Sequence, residues 1–248
     1  MVAIDVDNRA AAEKLFDQLS ALDDKPIVKI GMELYYANGP AIIKAAQEKG
    51  LKIFLDLKGY DIPNTIRRSM EILGQLGVDF TTIHAAGGSK MIQAAKEGLV
   101  AGAKSVNLPA PKLLAVTQLT SMDEETMHRE QRIPGSLVDS VKHYAQLAES
   151  AGADGVICSA LEVKAIREVT HDNFLCVTPG IRPNLNQTDD QSRVVTPAQA
   201  REIGSNGIVV GRPITQSDDP VASYQAIYQA FMGETKWQTM LKKSHKAS

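Results

Sequence analysis

The chain carries two carboxylates and one ammonium within six residues, where an apolar run ends. The segment reads IFLDLKGYDIPNT, residues 53–65, and contains Asp56, Lys58 and Asp61. Side chains alternate along a strand, so Asp56 and Lys58 share one face while the flanking leucines take the other. Charges placed in this way favour acid–base or electrostatic chemistry over packing.

Other apolar runs also end in charged residues. Asp5 follows the first run, and Lys29 lies in the second, within IVKIG. In a parallel barrel the carboxyl ends of the strands meet at one face, so Lys29 would reach the site of Asp56. The result is an alternating row of Lys29, Asp56, Lys58 and Asp61, in which each charge has an opposite neighbour. Paired charges can also serve packing alone, but three such strand ends favour catalysis.

A second group of residues is suited to binding an anion. The eighth run ends in Gly211 and Arg212, within VVGRPI. Barrels commonly hold phosphate after strands 7 and 8, and an arginine can bind it through two hydrogen bonds. Arg182 would close over the same anion, with Gln191 as a neutral donor. The alternative is a surface Gly-Arg turn. His84, which precedes AAGG, is interpreted as a structural residue at a tight turn.

Short apolar runs alternate with helical patterns along the whole chain. The predicted strands are Val2–Val6, Ile27–Ile30, Lys52–Leu57, Phe80–His84, Leu113–Thr117, Gly155–Cys158, Leu175–Thr178 and Gly207–Val210. The predicted helices are Arg9–Ser20, Pro40–Lys49, Pro63–Leu76, Ser89–Val100, Leu137–Ser150, Ala160–Val169, Pro197–Ile203 and Pro220–Phe231. Eight such pairs predict a closed (β/α)8 TIM barrel, an α/β fold, as a single domain over residues 1–233. The alternative, a doubly wound open sheet, often has a glycine-rich first turn, and DVDNR contains no glycine.

Two segments lie outside the strand–helix rhythm. Gly180–Thr196 is long and polar, which favours a functional lid. Residues 234–248 form a basic tail that we expect to be a frayed end.

Composition restricts the classes of partner and compartment. The 248 residues are 44% hydrophobic and carry a formal net charge of -2, so no global field favours nucleic acid or an anionic membrane. The start of the chain does not resemble a signal peptide, and no apolar run approaches a membrane span. Cys158 and Cys176 lie in apolar runs, as expected for buried thiols in a reducing cytoplasm. No Cys/His spacing indicates a metal site.

The motifs together resemble the bacterial form of the orotidine 5′-monophosphate (OMP) decarboxylase family. The resemblance rests on FLDLKGYDIPNT and runs nearly end to end. The other segments that carry it, in order, are VAIDVDN, VKIGMEL, IHAAGG, LLAVTQLTSM, GVICSA, VTPGIRP, DQSRVVTPAQA and VVGRPITQS. The pattern Asp-x-Lys-x-x-Asp alone also occurs in metal-dependent relatives that act on open-chain sugar phosphates, and such an enzyme is the alternative. A barrel that merely binds a nucleotide has no use for the alternating charges.

The resemblance implies a cofactor-free and metal-free decarboxylation of OMP to uridine 5′-monophosphate (UMP). Lys58 is implied as the proton donor to C6 of the pyrimidine, and Asp56 as the neighbour of the substrate carboxylate. Lys29 would hydrogen-bond the ribose and Asp56. Asp61 would complete the charge row across a homodimer interface, with Thr65 beside it.

The resemblance also implies a set of substrate-binding residues. Asp5 would bind ribose hydroxyls, and Thr120 would meet the substrate near the pyrimidine. The implied phosphate-side residues are Arg182, Gln191, Gly211 and Arg212.

Overall fold

The computed structural model describes residues 1–183 and 193–233. Within these residues, eight parallel strands form one sheet in the order β1 to β8. Their bounds are β1 Val2–Ala3, β2 Ile27–Gly31, β3 Lys52–Gly59, β4 Phe80–His84, β5 Lys112–Val116, β6 Gly155–Ile157, β7 Leu175–Thr178 and β8 Gly207–Ile208. Gln191, most of the predicted lid and the basic tail lie outside the described residues.

The sheet closes on itself through a parallel bridge between Val2 and Val210. The N–H of Ala3 donates to the carbonyl of Val210 at 2.8 Å, and the N–H of Val210 donates to that of Met1 at 3.0 Å. These bonds join the residues of the first strand to those that follow the eighth. The (β/α)8 barrel is therefore confirmed, and the open sheet is wrong.

Strand bounds differ from the predicted ones mainly in the first, third and last strands. The first and last strands are shorter than expected, yet hydrogen bonding continues beyond them: the N–H of Ile4 donates to Lys29 at 2.9 Å and that of Val209 to Thr178 at 3.0 Å. β3 is longer and runs to Gly59, with a register shift against β4 between Leu55 and Gly59.

Helices cover the outside of the barrel. The described ones are α1 Arg9–Ser20, α2 Met32–Asn38, α3 Pro40–Glu48, α4 Pro63–Gln75, α5 Gly88–Ser105, α6 Glu124–Thr126, α7 Leu137–Ser150, α8 Val163–Arg167, α9 Pro197–Ile203, α10 Arg212–Thr215 and α11 Pro220–Met232. The sequence pattern did not predict α2, α6 or α10. The predicted helix Ala160–Val169 is a three-residue turn, Ala160–Glu162, followed by α8, and α5 is longer than predicted.

The α2–α3 break shows why short helices were missed. Gly39 lies between the two helices with a φ of 58°, a left-handed value that glycine adopts without steric cost, and Pro40 begins the next helix. At its other end α2 follows β2 directly, without a loop. The helical pattern of the longer α3 therefore masks the separate pattern of α2 in the sequence.

A layer of buried apolar side chains lies inside the barrel. Ala3, Phe54, Leu114 and Val177 come from β1, β3, β5 and β7, and pack together with Val209. Alternate strands thus supply the layer, as is usual in such barrels. Asp56 lies two residues beyond Phe54 on the same face, about 6–7 Å further along the strand. The apolar layer therefore closes the interior directly below the charged residues.

Polar side chains pin the opposite, amino-terminal end of the barrel. Asp79, Asp154 and Asn206 immediately precede β4, β6 and β8. Each side-chain oxygen accepts a backbone N–H near the start of the preceding strand. The donors are Ile53 at 2.8 Å, Leu113 at 2.7 Å and Cys176 at 2.7 Å. The same local device is thus repeated on three strand pairs.

Two glycines of α5 allow α4 to pack unusually close. A Cβ at Gly98 would lie 2.2 Å from the carbonyl oxygen of Arg67, and one at Gly102 would lie 1.9 Å from that of Glu71. Both carbonyls belong to the backbone of α4, which cannot give way as a side-chain end can. This contact fixes the helix that follows the Asp61 loop and carries Thr65.

In the part of the chain that the structure describes, no helix is both long enough and apolar enough to span a membrane.

Candidate active site

Four charged side chains form a continuous row at the barrel mouth, the face formed by the carboxyl ends of the strands. Lys29 Nζ lies 3.1 Å from Asp5 Oδ1 and 3.6 Å from Asp56 Oδ2. Lys58 Nζ lies 2.8 Å from the same Asp56 Oδ2. We call Asp5, Lys29, Asp56 and Lys58 the charge row. Signs alternate along it, so each charge inside the row has opposite neighbours.

Asp56 is the most enclosed member of the charge row, with 7% of its surface exposed. Its second carboxylate oxygen accepts a hydrogen bond from Thr82 Oγ1 at 2.8 Å. Burial, the largest influence, would raise the pKa of Asp56, but the ammonium groups of Lys29 and Lys58 and the two hydrogen bonds together hold it below its ordinary value. Asp56 is therefore a fixed anion between two cations.

The backbone at Lys58 is strained. Its φ is 48°, in the left-handed region that non-glycine residues rarely occupy, at the β3 register shift. Such a conformation costs about 1–2 kcal/mol and persists where surrounding contacts hold it. One contact is the N–H of Lys58, which donates to Thr82 Oγ1 at 2.9 Å. Thr82 therefore supports both the backbone of Lys58 and the carboxylate of Asp56.

A glycine at the end of β2 leaves room for the charge row. A Cβ on Gly31 would lie 3.2 Å from Asp5 Oδ1 and 3.3 Å from Lys29 Nζ. Both contacts are tighter than ordinary packing, so a side chain here would press on the Asp5–Lys29 pair.

Asp61 lies outside the charge row in the described chain. Its carboxylate accepts the N–H of Ile62 at 2.7 Å, and both Asp61 and Thr65 are exposed. Among the described residues, no ion pair joins Asp61 to Lys58 within 4.0 Å. The row within one chain therefore begins at Asp5 and ends at Lys58, and the role predicted for Asp61 depends on a second subunit.

The predicted phosphate-side residues lie on two neighbouring strand ends. A Cβ on Gly211 would lie 3.7 Å from Asp5 Oδ2, so this glycine is next to the charge row. Arg212 begins α10 and is exposed, whereas Arg182 is only 5% exposed. The N–H of Arg182 donates to the carbonyl of Val195 at 3.0 Å, which fixes its backbone. Gln191 lies outside the described residues.

Thr120 follows β5, and its loop is tied down from two directions. Gln118 is 4% exposed and donates to Gln131 Oε1 at 3.0 Å and to Ser140 Oγ at 3.1 Å. Arg193 donates to the carbonyl oxygen of Thr120 at 3.3 Å. The backbone at Thr120 is therefore held although the segment contains no regular element.

Several residues of this site were not predicted from the sequence, namely Gly31, Thr82, Gln118, Arg193 and Glu162, which forms an ion pair with Arg193. Thr82 carried a usable signal, because it precedes His84 by two residues and so shares its face of β4. Arg193 carried none, since nothing in a polar loop indicates which side chain turns back to the barrel.

His84 ends β4 beside the charge row. Its ring makes an edge-to-face contact with Tyr60, with 6.1 Å between the ring centroids. Burial is the main cause that lowers the pKa of His84, the Lys58 ammonium lowers it further, and Asp56 acts in the opposite direction. A neutral imidazole here adds no second positive charge beside Lys58.

Among residues 1–183 and 193–233, no group of three or more His, Cys, Asp or Glu side chains is arranged to hold a metal ion.

Fold and site together define a TIM-barrel protein with a charged mouth beside an arginine-bearing strand end. A family model described as Orotidine 5'-phosphate decarboxylase / HUMPS family matches residues 1–227. The chain belongs to this family.

Individual relatives match over most of their length. A Latilactobacillus sakei protein named orotidine 5'-phosphate decarboxylase is 54% identical over 227 residues, which are 92% of this chain and 95% of the relative. An Enterococcus faecalis protein of the same name is 57% identical over 200 residues, 81% and 84% of the two chains. The crystal structure of the Lactobacillus acidophilus enzyme of that name superposes with a TM-score of 0.82 at 46% identity, covering 94% of this chain and 98% of that one.

The coupling between His84 and Lys58 can be measured by titration. Because the folded chain binds a proton at His84 less readily than the unfolded chain, its contribution to the free energy of unfolding is complete above about pH 6.5 and is lost as the pH falls. In Lys58→Met one lowering influence is gone and Asp56 remains, so the pKa of His84 should rise. NMR titration of the imidazole checks this, with the signal of exposed His171 as reference. A lower or unchanged pKa in the variant would contradict the assignment.

Proposed function

We propose that the chain is a cofactor-free carboxy-lyase that decarboxylates OMP to UMP in pyrimidine biosynthesis. Family membership and relatives of this name at 52–57% identity support the activity. The single observation that carries the mechanism is Lys58 Nζ held 2.8 Å from the buried carboxylate of Asp56. A protein that only binds nucleotides has no need for a lysine held in this way.

The chemistry requires a cation at the reacting carbon. Loss of CO2 breaks the bond between C6 and the carboxylate, and the bonding electrons remain on C6 as a carbanion that the ring stabilises poorly. An ammonium held beside C6 stabilises this charge and then donates its proton, which gives UMP and a neutral lysine. Lys58 fills this role, and solvent restores its proton.

Asp56 has two consequences for the reaction. As a fixed anion, it orients the ammonium groups of Lys58 and Lys29, whose distances from it are 2.8 and 3.6 Å. A bound substrate carboxylate beside it would be repelled, and the departure of CO2 would relieve that repulsion. We assign the orienting role as the main one. Lys29 also contacts Asp5, so these two side chains together form a site for ribose hydroxyls.

Replacing the proton donor should abolish most turnover without unfolding the protein. Lys58→Ala should lower kcat by at least about 10²–10³, the loss seen when one oriented electrostatic donor is removed. The measurement is loss of the OMP ultraviolet band. EDTA is present, so that any turnover observed does not depend on a metal ion.

Lys52→Ala is the matched control, because Lys52 is an exposed lysine at the opposite end of the same strand. It should keep wild-type turnover. Near-normal turnover by Lys58→Ala would show that the donor has been assigned wrongly.

We place the substrate phosphate between the ends of β7 and β8. Gly211 lies beside Asp5, so a ribose held by the charge row would direct its phosphate toward Gly211 and Arg212. Arg182 and Gln191 are proposed to complete the phosphate site. Phosphate binding away from C6 can be used to order the site around the reacting atoms.

The phosphate assignment predicts a selective loss. Arg212→Ala should lower kcat/KM for OMP about 10- to 100-fold, since a charge-assisted contact is worth about 1.5–3 kcal/mol. Orotidine, the substrate without its phosphate, should be affected little. Arg201→Ala, which removes an exposed arginine of α9, is the control. Equal losses for both substrates would rule out a phosphate contact.

We also propose that a second copy of the chain completes the site. Asp61 is flanked by Tyr60 and Ile62, which are 63% and 67% exposed, a large apolar area beside a catalytic mouth. A homodimer that covers these side chains would bring Asp61 and Thr65 to the partner's charge row.

The buried free cysteines Cys158 and Cys176 support a reducing, cytoplasmic location for the enzyme.

Mixing two inactive variants tests the shared site. If Asp61 acts on the partner's site, Lys58→Ala and Asp61→Ala homodimers should each be nearly inactive. Co-refolded subunits should regain about a quarter of wild-type activity, because half the dimers are mixed and each has one intact site. Size-exclusion chromatography of tagged subunits confirms exchange. No regain in verified mixed dimers would overturn the shared site.

A further inference from the structure

We propose that Arg193 is a positioning residue that holds the Thr120 loop in place from the segment that carries Arg182. This role rests on the proposed function, because it matters only if Thr120 and Arg182 contact the two ends of the same substrate. Arg193 itself is not assigned any contact with substrate.

The guanidinium of Arg193 reaches three acceptors on two different loops. It donates to the carbonyl oxygens of Leu119 at 3.1 Å and Thr120 at 3.3 Å, both after β5. It also forms an ion pair with Glu162, which follows β6. A planar fork with several fixed donors suits this arrangement, and a lysine ammonium cannot reproduce it.

Glu162 is a prepared partner for this arginine. It is 3% exposed, and its other carboxylate oxygen accepts the N–H of Ser159 at 2.9 Å. A buried carboxylate is costly unless it is paired and hydrogen-bonded, and Arg193 supplies the pairing. Burying an ion pair costs more free energy than burying apolar side chains of similar size. The Glu162–Arg193 pair is therefore better explained by a role in geometry than by stability alone.

The backbone next to Arg193 is fixed by two hydrogen bonds between residues 180–182 and Val195. Two residues further on, the N–H of Val195 donates to the carbonyl of Gly180 at 3.2 Å, and the N–H of Arg182 donates to that of Val195 at 3.0 Å. Arg193 is therefore two residues from the backbone that holds Arg182, while its side chain holds the backbone of Thr120. The chain thus links the phosphate-side strand end to the pyrimidine-side loop through one side chain.

If Arg193 positions Thr120, the contribution of Thr120 to kcat/KM should become smaller when Arg193 is replaced. Arg193→Gln alone would leave Glu162 buried and unpaired, so the test uses Arg193→Gln/Glu162→Gln, in which both charges are removed. Thr120→Ala is made in the wild type and in this double variant. Lys142→Ala is the control, because it removes an ion pair of 2.8 Å to Glu168, on the helical layer outside the barrel.

Two readouts are measured: kcat and KM for OMP, and amide hydrogen exchange of the peptide that contains Leu119 and Thr120. The double variant should lower kcat/KM about 10- to 100-fold, the scale of a small displacement of a contact residue, and should raise exchange in that peptide. Thr120→Ala should cost clearly less in the double variant than in the wild type. Lys142→Ala should change neither readout.

Equal costs of Thr120→Ala in both backgrounds, or unchanged exchange in the Thr120 peptide, would overturn the role of Arg193. A wild-type protein that does not decarboxylate OMP would overturn the proposed function and, with it, this role. Because exchange does not depend on turnover, the two failures are distinguishable.

Discussion

The structure depends on keeping one buried carboxylate ionised. Asp56 is almost enclosed, and burial acts against its charge more strongly than any other influence. Two lysines and a threonine offset that cost, and each imposes a further requirement. Lys58 must take a left-handed backbone conformation, Lys29 needs the space that Gly31 leaves, and Thr82 must face the mouth. The left-handed backbone of Lys58, the glycine at the end of β2 and the orientation of Thr82 on β4 are thus all linked to the charge of a single side chain.

The barrel meets these requirements by separating packing from charge. An apolar layer from alternate strands closes the interior at Phe54. Asp56, two residues further along β3 on the same face, therefore lies above packed side chains and faces the mouth. Helix packing then fixes what surrounds them. Gly98 and Gly102 let α4 approach α5 at backbone distance, and this sets where the Asp61 loop can reach. An arrangement of opposite charges needs a rigid frame, because electrostatic stabilisation of a transition state requires charges that do not reorganise.

Sequence alone predicted the parts of this frame that follow from periodicity. Alternation along β3 was enough to place Asp56 and Lys58 together, and eight strand–helix repeats were enough for the closed barrel. It did not predict the left-handed Lys58, since a register shift depends on the neighbouring strand. It did not identify Asp5 as the first member of the charge row, because contact across β1 and β2 is a matter of register. The Glu162–Arg193 pair joins residues 31 positions apart and has no local pattern at all.

The side-chain clamps at the amino-terminal end of the barrel have an architectural consequence. Asp79, Asp154 and Asn206 each accept a backbone N–H from the strand directly before their own. Asp154 has a second partner, because the same carboxylate oxygen accepts a hydrogen bond from the ammonium of Lys96 in α5 at 2.6 Å. This ion pair crosses the connection between α5 and β5, where Asn107 takes a left-handed conformation in an exposed turn. A chain opened at that turn would therefore still have its two halves joined by the Lys96–Asp154 pair and by the β4–β5 ladder, and its new termini would lie on the side away from the chemistry.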